Sequence, residues 1–292
     1  MNPAKLFAAI LLSVTVALPG AASQQSVSIP AEFRLEGDAV QGGLMIGYAP
    51  WSDRVTLDDR PIPVSGGYFL LGFERDAGPS SKLVVHRKRM RPEDVLQAPL
   101  IFSLRIKKRD YDIQRIDGLP RRKVTPDPED LKRIRAEGRL MQDARSGKTL
   151  RLGFRSGFVW PARGRISGVY GSQRILNGEP RRPHFGVDIA APTGTPVIAP
   201  ADGRVTLVHP DMFFNGKSIV IDHGLGFTTV YIHLSGASVQ PGQSVKQGDV
   251  IGKIGATGRV TGPHLHWGAR VRNIEIDPAL LVEGKPRPLN GP

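Results

Sequence analysis

The chain has 292 residues, a length that accommodates two ordinary domains. It contains no cysteine, which excludes disulfides and thiolate metal ligands and leaves histidine, aspartate and glutamate as the metal-binding side chains. A formal net charge of +13 favours polyanionic partners. Nucleic acid is not predicted among them, because no nucleic-acid motif is present and the basic residues do not alternate with aromatic ones.

Residues 1–23 are typical of a secretory signal. Lys5 precedes an apolar run at 6–18, and small residues follow at 21–23. A run of about 13 apolar residues is too short to cross a bilayer comfortably. We therefore expect an exported protein with no transmembrane anchor in its mature form, located in the periplasm or outside the cell at the wall.

Residues 24–118 predict a small Ig-like β-sandwich domain, because short apolar runs alternate with turn signals. The predicted strands are 43–48, 54–57, 68–73, 83–86 and 101–106. His86 stands alone, which favours a structural or surface role. This basic domain is also a candidate surface for an envelope protein partner.

Residues 119–150 predict a linker that carries one amphipathic helix. Apolar residues recur at helical spacing between 129 and 145, and Gly138 weakens the helix. The alternative is a partly disordered hinge.

Residues 151–292 predict a second, mainly β domain with no notable helix. Eight strands are expected, and the turns between them contain glycine and proline. They are 164–170, 187–189, 195–199, 203–208, 217–222, 227–233, 249–254 and 265–271.

His264 and His266 form an H-x-H pair on the last of these strands. Residues i and i+2 of a strand point to the same face, so both imidazoles should face one cleft while Leu265 enters the core. The backbone positions would be about 7 Å apart. The alternative is a pair of surface histidines on an edge strand.

His184 and Asp188 form an H-x-x-x-D pair. Pro183, Gly186 and Pro192 argue against a helix, and a straight strand would separate the two residues by about 13 Å. His184 should therefore lie on a loop that folds back onto the start of the strand carrying Asp188. The alternatives are a loop histidine beside two arginines and an aspartate that caps a turn.

His233 ends a strand in which alternation groups it with Thr229 and Tyr231 on one face. If that face lines the cleft, His233 should lie beside the metal on the side where the substrate binds. The alternative is a histidine that caps a turn at the end of the strand. His223 is expected to make a turn hydrogen bond, and His209 is expected in a loop.

Taken together and in order, these motifs resemble the lysostaphin/LytM-type zinc endopeptidases of bacterial cell walls, over about residues 160–282. The resemblance rests on HFGVD at 184–188, AAPTGTPV at 190–197, ADG at 201–203, YIHL at 231–234 and GATGRVTGPHLHW at 255–267. It implies an antiparallel β-sandwich or barrel-like peptidase domain of the duplicated hybrid motif type. It also implies one zinc ion held by His184, Asp188 and His266, with His233 and His264 as the catalytic pair.

The resemblance further implies a zinc metalloendopeptidase that hydrolyses the peptide cross-links of peptidoglycan by attack of a zinc-bound water. Either His264 or His233 would act as the general base. The alternative is a non-catalytic envelope-binding regulator or activator of another wall hydrolase, since some relatives have lost ligands. The polar segment 172–183, with Arg174, Arg181 and Arg182, should border the cleft and either bind an acidic stem peptide or cover the zinc.

Overall fold

A computed structural model describes residues 30–88, 97–147 and 149–289. The predicted export signal at 1–23 lies outside these residues. The described part includes no helix with both the length and the hydrophobicity that membrane crossing requires. The chain divides into two compact units, Met1–Arg109 and Asp110–Pro292.

The described residues of the first unit form seven short strands in two antiparallel sheets. They are β1 (Arg34–Glu36), β2 (Leu44–Tyr48), β3 (Arg54–Leu57), β4 (Arg60–Ile62), β5 (Tyr68–Gly72), β6 (Ser80–His86) and β7 (Leu100–Arg105). The sheet orders are β1-β2-β5 and β4-β3-β6-β7. Both sheets contribute to one core that includes Met45, Phe69, Leu83 and Phe102. The predicted sandwich is confirmed; β1 and β4, at three residues each, are too short to give a readable alternation.

The second unit begins before residue 118, the predicted end of the first domain. The reason is β8 (Ile113–Ile116), which pairs in parallel with β10 (Gln173–Leu176) of the second unit. β10 also pairs with β11 (Glu179–Pro180), so these three strands form a small separate sheet.

Two helices follow β8, namely α1 (Arg121–Val124) and α2 (Pro128–Ala144). Proline at the first helical position and two acidic residues in the first turn favour the start of α2 there. Met141 and Ala144 pack against Val220, Val230 and Ile232 of the large sheet. The predicted helix is confirmed, and among the described residues it is packed on the sheet rather than standing free as a hinge.

The large sheet has ten strands. They are β9 (Arg165–Gly168), β12 (Val187–Ala190), β13 (Pro196–Ile198), β14 (Gly203–Met212), β15 (Gly216–Gly224), β16 (Phe227–Ala237), β17 (Ser244–Val245), β18 (Val250–Ile254), β19 (His264–Val271) and β20 (Ile274–Ile276). The main order is β17-β14-β15-β16-β19-β12-β9, with β13, β18 and β20 off this path. All pairings in this sheet are antiparallel, and all eight predicted strands are present. Short 3-10 helices occur at Gly153–Ser156 and Pro278–Leu281.

Candidate metal centre

The centre of the site lies where β12, β19 and β16 run side by side. In the antiparallel register Asp188 is opposite His266, and His266 is opposite Ile232. Directly opposed residues of an antiparallel pair share one face of the sheet. Leu265 and Trp267 alternate to the other face, where both are fully buried in the core. The predicted orientation of the H-x-H pair is confirmed.

His184 reaches this face from the loop before β12. Its backbone N–H donates to the carbonyl of Ser172 at 2.9 Å, and its carbonyl accepts from Gly171 at 2.7 Å. Its Nε2 then lies 3.0 Å from Oδ1 of Asp188 and 2.8 Å from Nδ1 of His266. The loop folds back as the sequence predicted, because the ring of Pro183 restricts the backbone there and the conformational freedom of Gly186 disfavours a helix.

The donor atoms of His184, Asp188 and His266 all lie within 4.8 Å of one another, a grouping that could hold a metal ion. Nδ1 of His184 is 3.0 Å from the carbonyl of Val169. A carbonyl can only accept, so the proton is on Nδ1 and the Nε2 lone pair faces the other donors. The partner that orients this imidazole could not be named from the sequence.

Burial and hydrogen bonding fix the charge states that a metal needs. Burial lowers the pKa of His266 to about 4, despite the opposing effect of Asp188. Burial by itself raises the pKa of Asp188, but the contacts with His184 and His266 outweigh it and hold that pKa well below its usual range. A neutral imidazole and an ionised carboxylate are the ligand forms required for metal binding, so the donor set fits zinc.

Two glycines make room for the ligands. A Cβ atom on Gly168, which is paired with Asp188 across β9 and β12, would lie 2.5 Å from Oδ2 of that carboxylate. A Cβ atom on Gly186 would lie 2.6 Å from Cε1 of His266. Any side chain at either position would displace a ligand. Sequence reasoning missed this role, although Gly186 stands inside the H-x-x-x-D motif.

Arg174 holds the second oxygen of the Asp188 carboxylate. Its Nη2 donates to Oδ2 at 2.7 Å, and its Nε is 3.4 Å from Oε1 of Gln114. The sequence predicted an arginine bordering the cleft, but not one that contacts a ligand. The contact depends on the pairing of β10 with β8, which carries Gln114 and was not predicted.

His233 and His264 lie beside the three donors. Their ring centroids are 4.8 Å apart. Nδ1 of His233 is 2.9 Å from the carbonyl of Thr257, and Nδ1 of His264 is 2.9 Å from the carbonyl of Gly262. Each carbonyl fixes the proton on Nδ1 and leaves Nε2 able to accept another. Nε2 of His264 is 4.0 Å from Oδ1 of Asp188.

His233 faces the cleft for a reason other than the one expected. Thr229 and Tyr231 face away from the cleft, buried and hydrogen-bonded to each other at 2.7 Å. Val230 and Ile232 line the cleft together with His233. The expected grouping of His233 with Thr229 and Tyr231 is therefore wrong. At His233 φ is +67°, a left-handed conformation that breaks the strand alternation. Burial also lowers its pKa well below the usual value.

The other three histidines do not belong to this cluster. His223 is fully buried and bonded through Nδ1 to the carbonyl of Asp202 and through Nε2 to Thr229, both at 2.7 Å. His209 is within β14, so the expected loop is wrong there; the strand continues past it to Met212. His86 is on β6 of the first unit.

A cavity of about 880 Å³ opens above the cluster, within the second unit. We call it the site cavity. It is lined on one side by sheet residues such as Ile232, His233 and His266, and on the other by Val124 of α1 and Leu131 of α2. The segment predicted as a linker therefore forms one wall of the site.

Residues 182–278 match the profile of Peptidase family M23. A solved structure described as a putative peptidase M23 from Pseudomonas aeruginosa is 31% identical, with a TM-score of 0.63 over 84% of this chain and 95% of that one. The chain belongs to Peptidase family M23, a zinc-dependent family of the lysostaphin/LytM type.

Two curated relatives align with part of the chain. Peptidoglycan DD-endopeptidase ShyB of Vibrio cholerae is 46% identical over 97 residues, which cover 32% of this chain and 22% of that protein. An uncharacterized metalloprotease of Haemophilus influenzae is 39% identical over 136 residues, which cover 46% of this chain and 28% of that protein. The chain thus spans less than a third of the length of either relative.

Proposed function

We propose that this protein is an exported zinc metalloendopeptidase that hydrolyses peptide cross-links of peptidoglycan. The observation that carries the proposal is the convergence of His184, Asp188 and His266 beside a second pair of histidines whose Nδ1 atoms are held by backbone carbonyls. In the proposal the first three residues hold one zinc ion, and His233 and His264 are the catalytic residues.

When bound, zinc supplies a Lewis acid that acidifies water and polarises a carbonyl group. The protein supplies the proton carriers. Because its Nε2 lies 4.0 Å from Oδ1 of Asp188, His264 is the better placed of the two to take a proton from the attacking water. The proton taken by His264 then passes to Nε2 of His233, whose ring centroid lies 4.8 Å away. His233 donates a hydrogen bond to the oxyanion through this proton and finally gives it to the departing amine, which leaves both imidazoles neutral.

Preorganised geometry supports these roles. Backbone carbonyls hold the Nδ1 atoms of both His233 and His264, so neither ring has to reorient or change tautomer before accepting a proton. The left-handed backbone at His233 is the kind of local strain that persists where function requires it.

The names of two relatives support the proposed substrate class. The ShyB relative is named a peptidoglycan DD-endopeptidase, and a relative in Neisseria meningitidis is named a DD-carboxypeptidase/endopeptidase. Peptidoglycan lies outside the cytoplasmic membrane, which agrees with the export signal predicted at 1–23. The basic charge of +13 favours the anionic envelope.

The test is digestion of purified peptidoglycan by residues 24–292 loaded with one equivalent of zinc, followed by mass spectrometry of the soluble products. We expect muropeptides with cleaved peptide cross-links, no products after chelation, and recovery when zinc is restored. A zinc-loaded, folded protein that releases nothing, yet increases the activity of a separate wall hydrolase, would support the regulator instead.

A further inference from the structure

The site cavity carries an excess of positive charge. Five arginines and two glutamates line it: Arg145, Arg174, Arg181, Arg182, Arg259, Glu179 and Glu275. Three of the arginines pair with a carboxylate: Arg145 with Glu275, Arg174 with Asp188 and Arg181 with Glu179. Arg182 is exposed, so water solvates its charge. Arg259 therefore requires a separate explanation.

Arg259 is partly buried, and among the described residues no carboxylate pairs with it. Its guanidinium carbon lies 4.4 Å from the centre of the Phe214 ring. Its Nη1 donates to the carbonyl of Lys123 at 3.3 Å, which uses one of five N–H donors. Burial, together with the charges of Arg174 and Arg181, lowers the pKa of Arg259 to about 10, so it remains a cation at neutral pH.

The position of Arg259 connects it to the catalytic histidines. It lies on the loop between β18 and β19, two residues after Thr257, whose carbonyl holds His233. The same loop leads directly into His264. The backbone N–H of Arg259 donates to the carbonyl of Phe214 at 2.8 Å, which anchors the loop. A group bound by Arg259 would thus share the site cavity with His233 and His266.

We propose that Arg259 binds a carboxylate of the peptide substrate and makes the protein selective for peptides with a free carboxylate near the scissile bond. The proposal rests on the proposed function and names its substrate chemistry. A guanidinium and a carboxylate form two parallel charge-assisted hydrogen bonds. Phe214, which lies against the Arg259 guanidinium, would strengthen that pairing by excluding water. Val230 and Ile232 line the same cavity and would accommodate the aliphatic part of the ligand.

This assignment differs from the one the sequence suggested. The segment 172–183 was expected either to bind an acidic stem peptide or to cover the zinc. In the structure Arg174 is bonded to Asp188, Arg181 is bonded to Glu179, and Arg182 is exposed to water. Exchanging Asp188 for a substrate carboxylate would leave a buried acidic side chain of the protein unpaired. Arg181 also donates to the carbonyl of Val124, which holds it in place. Arg259 has no such internal competitor.

The test compares cross-linked muropeptide dimers with their free carboxylates against the same dimers after conversion of the carboxylates to primary amides. With zinc-loaded wild-type protein we expect kcat/KM to favour the acid form by about tenfold or more, mainly through KM. Arg259→Gln should bring the ratio close to one, and Arg259→Lys should keep part of the preference. Arg204→Gln, which removes an exposed charge from β14, is the matched control and should keep the full ratio.

Equilibrium binding of both dimers to zinc-loaded His264→Ala gives a readout that does not depend on turnover. Acid-selective binding that is lost on adding Arg259→Gln supports the carboxylate site, whether or not the wild-type protein cleaves the dimers. A wild-type protein that binds the acid form selectively but does not cleave it would contradict only the proposed hydrolysis. Cleavage without acid preference, or an acid preference that survives in a folded Arg259→Gln protein, would overturn the proposal while leaving the hydrolase intact.

Discussion

Nε2 of His184 lies 2.8 Å from Nδ1 of His266, and each nitrogen lies within 3.0 Å of Oδ1 of Asp188. Because Val169 holds the proton on the far nitrogen of His184, its Nε2 presents a lone pair to the other two atoms. Such a group of acceptors is stabilised by a cation between them. Two imidazole nitrogens and one carboxylate oxygen are ligands that zinc prefers, so these three residues would hold that cation.

Replacing Gly186 with alanine should weaken zinc binding. The new Cβ atom would lie 2.6 Å from Cε1 of His266 and push the ring away from Asp188. We expect an affinity about 10- to 100-fold lower, the scale seen when ligand orientation is disturbed. Competition with a chelating dye measures it. Gly236→Ala is the matched control, since no atom lies within 4 Å of its Cβ position; equal affinities in the two variants would disprove this role of Gly186.

Arg174→Gln should also lower zinc affinity by about 10- to 100-fold, because Oδ2 of Asp188 loses the donor that directs Oδ1 toward the other ligands. Arg174→Lys should recover part of the loss. Substituting cobalt gives a visible spectrum that reports ligand geometry, and we expect that spectrum to change in Arg174→Gln. An unchanged cobalt spectrum and an unchanged zinc affinity would show that Arg174 does not orient Asp188 for metal binding. Arg165→Gln, an exposed arginine on β9, controls for the lost charge.

His223 should make the stability of the fold depend on pH. Burial lowers its pKa to about 4 from an ordinary value of 6.5. Below pH 6.5 the unfolded chain therefore binds a proton that the folded chain does not, so stability falls as the pH falls toward 4 and is unaffected by this group above 6.5. We expect a loss on the order of 2 kcal/mol between pH 7 and pH 5 from His223 alone.

Urea unfolding at several pH values measures this loss. His223→Gln keeps a donor for the Asp202 carbonyl and an acceptor for Thr229 but does not titrate. The buried histidines of the site titrate in both proteins, so the difference in slope isolates His223. Identical slopes would show that His223 does not bind its proton as described.

His264→Ala should retain zinc and lose turnover. His264 is outside the set of three donors, yet its Nε2 lies close to them. The loss of a general base usually costs about 10²-fold or more in rate. Release of muropeptides by the zinc-loaded variant provides the measurement, with zinc content determined on the same sample. Turnover close to that of the wild type would remove His264 from the catalytic pair.

The strands with a strong alternation of apolar and polar residues could be predicted from the sequence, and so could the residues that converge on their faces. The H-x-H pair is the clearest case, because period-two geometry alone separates His264 and His266 from Leu265. The prediction failed at His233, where the side chain gives no sign of the left-handed backbone. A glycine would have signalled that conformation, whereas a histidine does not.

The contact between Arg174 and Asp188 could not be predicted from the sequence, for a different reason. It requires β10, a four-residue strand whose pairing with β8 joins segments far apart in the chain. Short strands have little periodicity, and a parallel pairing over such a distance leaves no local signal. The folded structure is therefore needed to see that carboxylates neutralise Arg174 and Arg181. Only then does Arg259 emerge as the candidate to bind a substrate carboxylate.

The most direct test of the account is the zinc content of the purified protein after dialysis, measured by inductively coupled plasma mass spectrometry for the wild type and for Asp188→Ala. We predict one zinc ion per wild-type chain and essentially none in the folded variant, because the carboxylate is shared by both imidazoles. Stoichiometric zinc in Asp188→Ala, or none in the wild type after zinc loading, would contradict the assignment of the metal centre.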